Sequence, residues 1–140
     1  MIDDHFFDEF DEFERKRKDK LEQEKREKEK EEFRRFLKDL TPTFLNYIDE
    51  LKKRNVKVEH NVSDQDIKFM LFYNDGGERG FCLNIKGITH YCTNPDGKRT
   101  SNEDTSYRKY AGEKIASLMQ KVIKEFQFNA ERHKGMMFEN

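Results

Sequence analysis

Cys82, His90 and Cys92 lie within eleven residues of one another and are of the types that metal binding and nucleophilic catalysis require. Thiolate and imidazole are the usual ligands of zinc, and a cysteine beside a histidine is the pairing of a thiol protease. The spacing speaks against both. There is no CxxC or HxxxH pair and no evident fourth ligand. All three residues fall in predicted strand, without the sharp turn that would present a nucleophile. If a three-residue loop spans 86–88, Cys82 lies opposite Cys92, and His90 shares a face with Cys92. The expectation is therefore two ordinary sheet cysteines, no metal and no catalytic residue.

Other chemistry is no better placed. The stretch DGGERG, 75–80, lacks the GxxxxGK[ST] pattern and joins two strands, so it reads as a hairpin turn and not as a phosphate loop. Acidic residues are abundant but lie in solvated helical runs, where nothing drives two carboxyl pKa values apart. No enzyme and no cofactor are expected.

The elements that must carry any function follow from charge and apolar spacing. The chain has 140 residues, 28 Lys/Arg and 29 Asp/Glu, for a net charge of −1. That balance gives no global field to draw nucleic acid or an anionic membrane. The acidic start is the opposite of a signal peptide's basic one, and no apolar run reaches the ~20 residues of a membrane span. Two cysteines without a secretory signal read as reduced thiols, so a cytoplasmic protein with no membrane partner is expected.

Residues 3–14, DDHFFDEFDEFE, contain seven acids. Phe6, Phe7, Phe10 and Phe13 recur at three and four residues, which places them on one helical face. Asp3 or Asp4 can cap that helix. Residues 14–32 hold nine basic and eight acidic residues around one apolar side chain, Leu21. Opposite charges recur four apart, as in Glu14 with Lys18, Glu22 with Arg26 and Lys28 with Glu32. A nucleic-acid arm would lack this neutralisation, and a coiled coil would need repeating apolar positions. The stretch reads as a solvated helix held by charge pairs.

Apolar spacing resumes at Phe33, Phe36, Leu37 and Leu40. Thr41 and Pro42 then interrupt, so a second helix is expected over 42–54. Alternation over 56–62, the apolar run 67–73, and 81–93 with Gly87 at a bend predict three or four antiparallel strands. NPDG, 94–97, is a further turn. A last helix is expected from 104–105 to RHKG at 132–135, with Tyr107, Ala111, Ile115, Leu118, Met119, Val122 and Phe126 on one face. The tail MMFEN is apolar enough to dock. The fold class is thus α+β: a long charged N-terminal helix, a second helix, a three- to four-stranded antiparallel meander and a long amphipathic C-terminal helix. Residues 1–40 form the extended helix and 41–140 the compact domain.

Two stretches carry a family resemblance. TPTFLNYIDELKKRN looks like the first helix of a double-stranded-RNA-binding domain, and DIKFMLFYNDGGERGFCLNIKG looks like its second hairpin. The order of elements from Pro42 onward resembles that family as well. Its Gly-Pro-x-His loop would fall at 63–66, which reads SDQD. The resemblance implies phosphate contacts from Lys98, Arg99, Arg108, Lys109 and Lys114.

The feature that composition explains least is the acidic-aromatic face. Phe6, Phe7, Phe10 and Phe13, flanked by Asp8, Glu9, Asp11 and Glu12, predict a partner protein that offers a basic or apolar groove. The expectation is a non-catalytic interaction protein: an inhibitor, adaptor or accessory factor, of the style found in phages and mobile elements. A homodimer through the helices fits the same residues, and nucleic-acid binding is the alternative.

Overall fold

The computed structural model of the chain describes residues 4–94, 97–103 and 106–139. The chain divides into two compact units, Met1–Phe33 and Arg34–Asn140. The first helix, α1, runs Asp4–Lys53 and so belongs to both.

The first unit is helical throughout its described length. Its surface is laced with charge pairs: Glu12 with Lys16 at 3.5 Å, Arg17 with Glu14 at 3.0 Å, and Arg26 with Glu22 at 3.9 Å. Each contributes ~0.2–0.5 kcal/mol to the helix. The cap expected of Asp3 or Asp4 lies outside the described side chains.

In the second unit the expected break at Thr41 and Pro42 does not occur, and one helix takes the place of two. A proline inside a helix costs about 3 kcal/mol, because it cannot donate to the carbonyl four residues back and crowds it. Burial outweighs that cost. Leu37, Leu40, Phe44, Ile48 and Leu51, three or four residues apart, are each at most 8% exposed. Each fully buried side chain contributes ~1.5–3 kcal/mol, and a break at Pro42 would turn half of this stripe off the core. Thr41 Oγ1 donates to the Leu37 carbonyl at 2.5 Å, inside the same turn. The helix stops where Asn55 takes a left-handed φ of 59° and Val56 N–H closes back on the Leu51 carbonyl.

Five strands follow: β1 (Val58–Val62), β2 (Asp66–Phe72), β3 (Glu78–Asn84), β4 (Gly87–Asn94) and β5 (Gly97–Glu103). They form one antiparallel meander in sequence order. The fifth strand, GKRTSNE, was not expected, because it has no apolar alternation. It is an edge strand, and edges are held polar to discourage pairing with other chains. The turn between β4 and β5, residues 95–96, lies outside the described residues.

The register sorts the sheet into two faces. Val58, Ile67, Phe69, Leu71, Phe81, Leu83 and Ile88 share the helix-covered face. Phe44 of α1 meets Phe69 edge-on at 6.1 Å, and Phe69 meets Phe81 at 5.0 Å. The opposite face carries Lys68, Met70, Cys82 and Tyr91, with the Lys68 ammonium 5.3 Å from the Tyr91 ring.

The last helix is shorter than its apolar spacing predicts. Tyr107–Tyr110 is a turn of 3-10 helix, and α2 itself spans Lys114–Phe128. Gly112, at a φ of 62°, separates them. The expected start at 104–105 lies outside the described residues. After α2 comes a second 3-10 turn, Ala130–His133, and then the tail. The tail wedges between the start of the β1 segment and the end of β2: Lys57 N–H donates to the Met137 carbonyl, and Met137 N–H to the Phe72 carbonyl, each at 2.9 Å.

Candidate functional site

The thiol and imidazole side chains of the sheet do not converge. The β3–β4 hairpin turns through Ile85 and Lys86, so Cys82 faces Thr89, and Cys92 faces Arg79. His90 and Cys92 share the helix-side face, whereas Cys82 points to the other one. The three-residue loop that would have aligned the cysteines gives way to a tighter turn with Gly87 at a φ of 136°. Both cysteines are free thiols. Burial, then the Asp66 carboxylate, pushes the Cys82 thiol upward, the reverse of what an activated nucleophile needs. Among the described residues no group of three or more His, Cys, Asp and Glu could hold a metal ion.

One polar cluster was not anticipated. His133 Nδ1 lies 2.8 Å from Asp75 Oδ2, joining the β2–β3 turn to the end of the chain. The His133 ring stacks on Tyr73 at 4.3 Å, and Tyr73 stacks on Phe126 at 4.5 Å. Asp75 Oδ1 accepts the Gly77 N–H at 2.8 Å. That bond, with a smaller contribution from His133, holds the Asp75 carboxyl below the usual carboxylate value, while burial opposes them. A His–Asp pair is part of the apparatus of a general base. Here His133 is 2% exposed, and the Tyr73 hydroxyl donates to the Phe126 carbonyl at 3.0 Å. Asp75 stays at the surface, and the pair clamps the β2–β3 turn to the second 3-10 turn. By its spacing alone His133 belongs to a last helical turn, and it ends the second 3-10 turn. The legible signal was the second glycine of NDGG: a Cβ on Gly77 would lie 2.9 Å from His133 Nδ1.

The basic residues implied by the RNA-binding resemblance scatter over three elements. Arg99 is on β5, Arg108 and Lys109 are in the first 3-10 turn, and Lys114 opens α2. Arg108 and Lys109 lie over the rings of Tyr107 and Tyr110, at 4.8 and 5.8 Å. The side chain of Lys98 lies outside the described residues.

Two apolar surfaces stand out. The first is the helical patch in the first unit. Phe6, Phe7, Phe10 and Phe13 are 62%, 49%, 55% and 67% exposed, among the exposed acids Asp8, Glu9, Asp11 and Glu12. Phe6 and Phe7 meet edge-on at 5.3 Å, and Phe10 and Phe13 follow at three- and four-residue spacing on the same helix. The second lies wholly within Arg34–Asn140. It is a groove of about 450 Å³ between the end of α1, α2 and the tail. Leu51, Val56, Ile123, Phe126, Met136 and Phe138 give it an apolar lining. Tyr47, Glu50, Arg54, Gln120, Lys124 and Gln127 are polar residues around it; Arg54 pairs with Glu50 at 2.7 Å, and Gln120 Nε2 donates to the Tyr47 hydroxyl at 2.7 Å. The segments that line the groove, 47–57, 114–128 and 130–139, together hold nine Lys/Arg and five Asp/Glu, and the lining itself carries Arg54 and Lys124 against Glu50.

Among the described residues no helix is long and apolar enough to cross a membrane. No protein-family model matches the chain, and no curated protein or solved structure matches it.

Proposed function

We propose that the chain is a non-catalytic interaction protein that docks a partner protein through Phe6, Phe7, Phe10 and Phe13. The observation that carries this reading is four phenylalanines, each about half or more exposed, clustered on one helical face among acids. Single exposed apolar residues are ordinary, but a contiguous aromatic patch rimmed by charge is the mark of a docking surface. Anchors at i, i+4 and i+7 suit a helix laid into a groove, and phenylalanine supplies large buried area there. Asp8, Glu9, Asp11 and Glu12 then select a partner with a basic rim and speed the encounter. The buried His133 ring and the Cys82 thiol pushed upward by burial both favour a non-catalytic role. Inhibitor, adaptor and accessory factor are all roles that such a docking helix serves.

The test replaces Phe6, Phe7, Phe10 and Phe13 together by Ala. A fully buried Phe contributes ~1.5–3 kcal/mol, and these rings are already partly shielded by their helix. Losing about 1 kcal/mol at each position weakens partner binding roughly a thousandfold. The specific protein that co-purifies with the wild-type chain should vanish, while circular dichroism stays unchanged. Retention of that protein by the folded variant would sink the docking reading.

A further inference from the structure

Resting on that docking reading, we infer that the partner of the Phe6, Phe7, Phe10 and Phe13 helix is a second copy of this chain, and that the seat is the groove between α1, α2 and the C-terminal tail. The two surfaces match in chemistry. The patch is aromatic within an acidic segment, with seven acids over 3–14. The groove has an apolar floor, Leu51, Phe126 and Met136 among its residues, with Lys124 and the Arg54–Glu50 ion pair at its edge. Its surrounding segments carry nine basic residues against five acidic ones. Opposite charge around two apolar surfaces steers association and fixes its register. The near-neutral net charge of −1 therefore hides two opposed local fields on one chain. A volume of about 450 Å³ lies within the range that buries ligand groups. It admits the aromatic side chains spaced one helical turn apart, Phe6, Phe10 and Phe13, as anchors. Two copies that exchange these contacts satisfy both surfaces reciprocally, which is the closed two-fold arrangement most homo-oligomers adopt.

Sedimentation equilibrium of the full chain tests this. Phe6→Ala/Phe10→Ala/Phe13→Ala removes the anchors and keeps the groove. Lys124→Glu, at an exposed position, reverses charge at the groove and keeps the patch. The wild type should sediment as a dimer that loosens with salt. The triple variant should self-associate at least about thirtyfold more weakly, the loss expected of interface hot spots. Lys124→Glu should weaken association by a salt-dependent factor, and adding Glu9→Lys to it should restore the dimer. A mixture of the triple variant with Lys124→Glu should pair better than Lys124→Glu alone, because the triple variant supplies an intact groove to an intact patch. A wild type that remains monomeric throughout overturns the inference. If such a monomer still co-purifies a protein that the four-Phe variant loses, the docking reading stands and only the second copy falls. A dimer indifferent to Lys124→Glu places the seat elsewhere and equally overturns it.

Discussion

Gly77→Ala probes the clamp that ties the sheet to the end of the chain. The new Cβ would sit 2.9 Å from His133 Nδ1, 3.0 Å from Asp75 Oδ1 and 3.1 Å from Tyr73 Cδ2. His133 Nδ1 and Tyr73 Cδ2 are ring atoms, and Asp75 Oδ1 is held by the Gly77 N–H. The His133 ring is stacked on Tyr73, which is stacked on Phe126, so relief in one place displaces the next. Overpacking of this kind costs ~1–3 kcal/mol, and about 2 is expected here. Gly76→Ala is the control. Gly76 has a φ of 89° and nothing within 4 Å of an added Cβ, so its cost of about 1–2 kcal/mol comes from the backbone alone. The decisive comparison uses a His133→Ala background, itself destabilised by about 2–4 kcal/mol through lost packing. There the cost of Gly77→Ala should fall by at least about 1 kcal/mol, while the cost of Gly76→Ala should not change. Urea unfolding followed by tyrosine fluorescence reads this unit selectively, because all five tyrosines lie within 34–140 and the chain has no tryptophan. An equal cost of Gly77→Ala in both backgrounds would refute the clamp.

Three further outcomes are expected. Pro42→Ala should stabilise the chain by ~1–3 kcal/mol in the same urea assay, since it restores a missing helical hydrogen bond without touching the buried stripe; a loss of stability would mean that the proline ring itself is needed there. The Asp75 carboxyl titrates in the folded chain below its ordinary value of 3.8. Its contribution to stability is therefore complete above 3.8 and is lost as pH falls through the lower folded value. Acid titration should show a shallower loss for Asp75→Asn than for the wild type, and identical profiles would remove Asp75 from the clamp. Labelled duplex RNA should show no salt-steep binding in fluorescence anisotropy. A steep fall of affinity with salt that Arg108→Ala and Lys109→Ala both flatten would establish nucleic-acid binding instead.

What could be read from sequence were the features written in local spacing. The α+β class, the hairpin turns at NDGG and at Gly87, and the face of α2 from Ile115 to Phe126 all follow from periods of two or of three to four. Where several distant segments cooperate, spacing was silent. Pro42 looks like a boundary until Leu37, Leu40, Phe44 and Ile48 are seen buried along one stripe. Strand β5 has no apolar period because an edge needs none. His133 and Asp75 stand 58 residues apart, and only the second glycine of the turn hinted that something approaches it. The same holds for the candidate surfaces. The phenylalanine patch is one helical turn repeated, visible at once. The groove is assembled from three segments, and nothing in the spacing of Leu51, Phe126 and Met136 announces that they meet.

The claim that the phenylalanine patch docks a protein is tested most directly by a photo-crosslinking phenylalanine analogue placed at Phe10 in the cells that make the chain. Phe128 is the matched control, a lone exposed phenylalanine at 82%. One discrete protein adduct is expected from position 10, none from position 128, and its loss when Phe6, Phe7 and Phe13 are replaced by Ala. No adduct at position 10, or the same adducts from both positions, would contradict it.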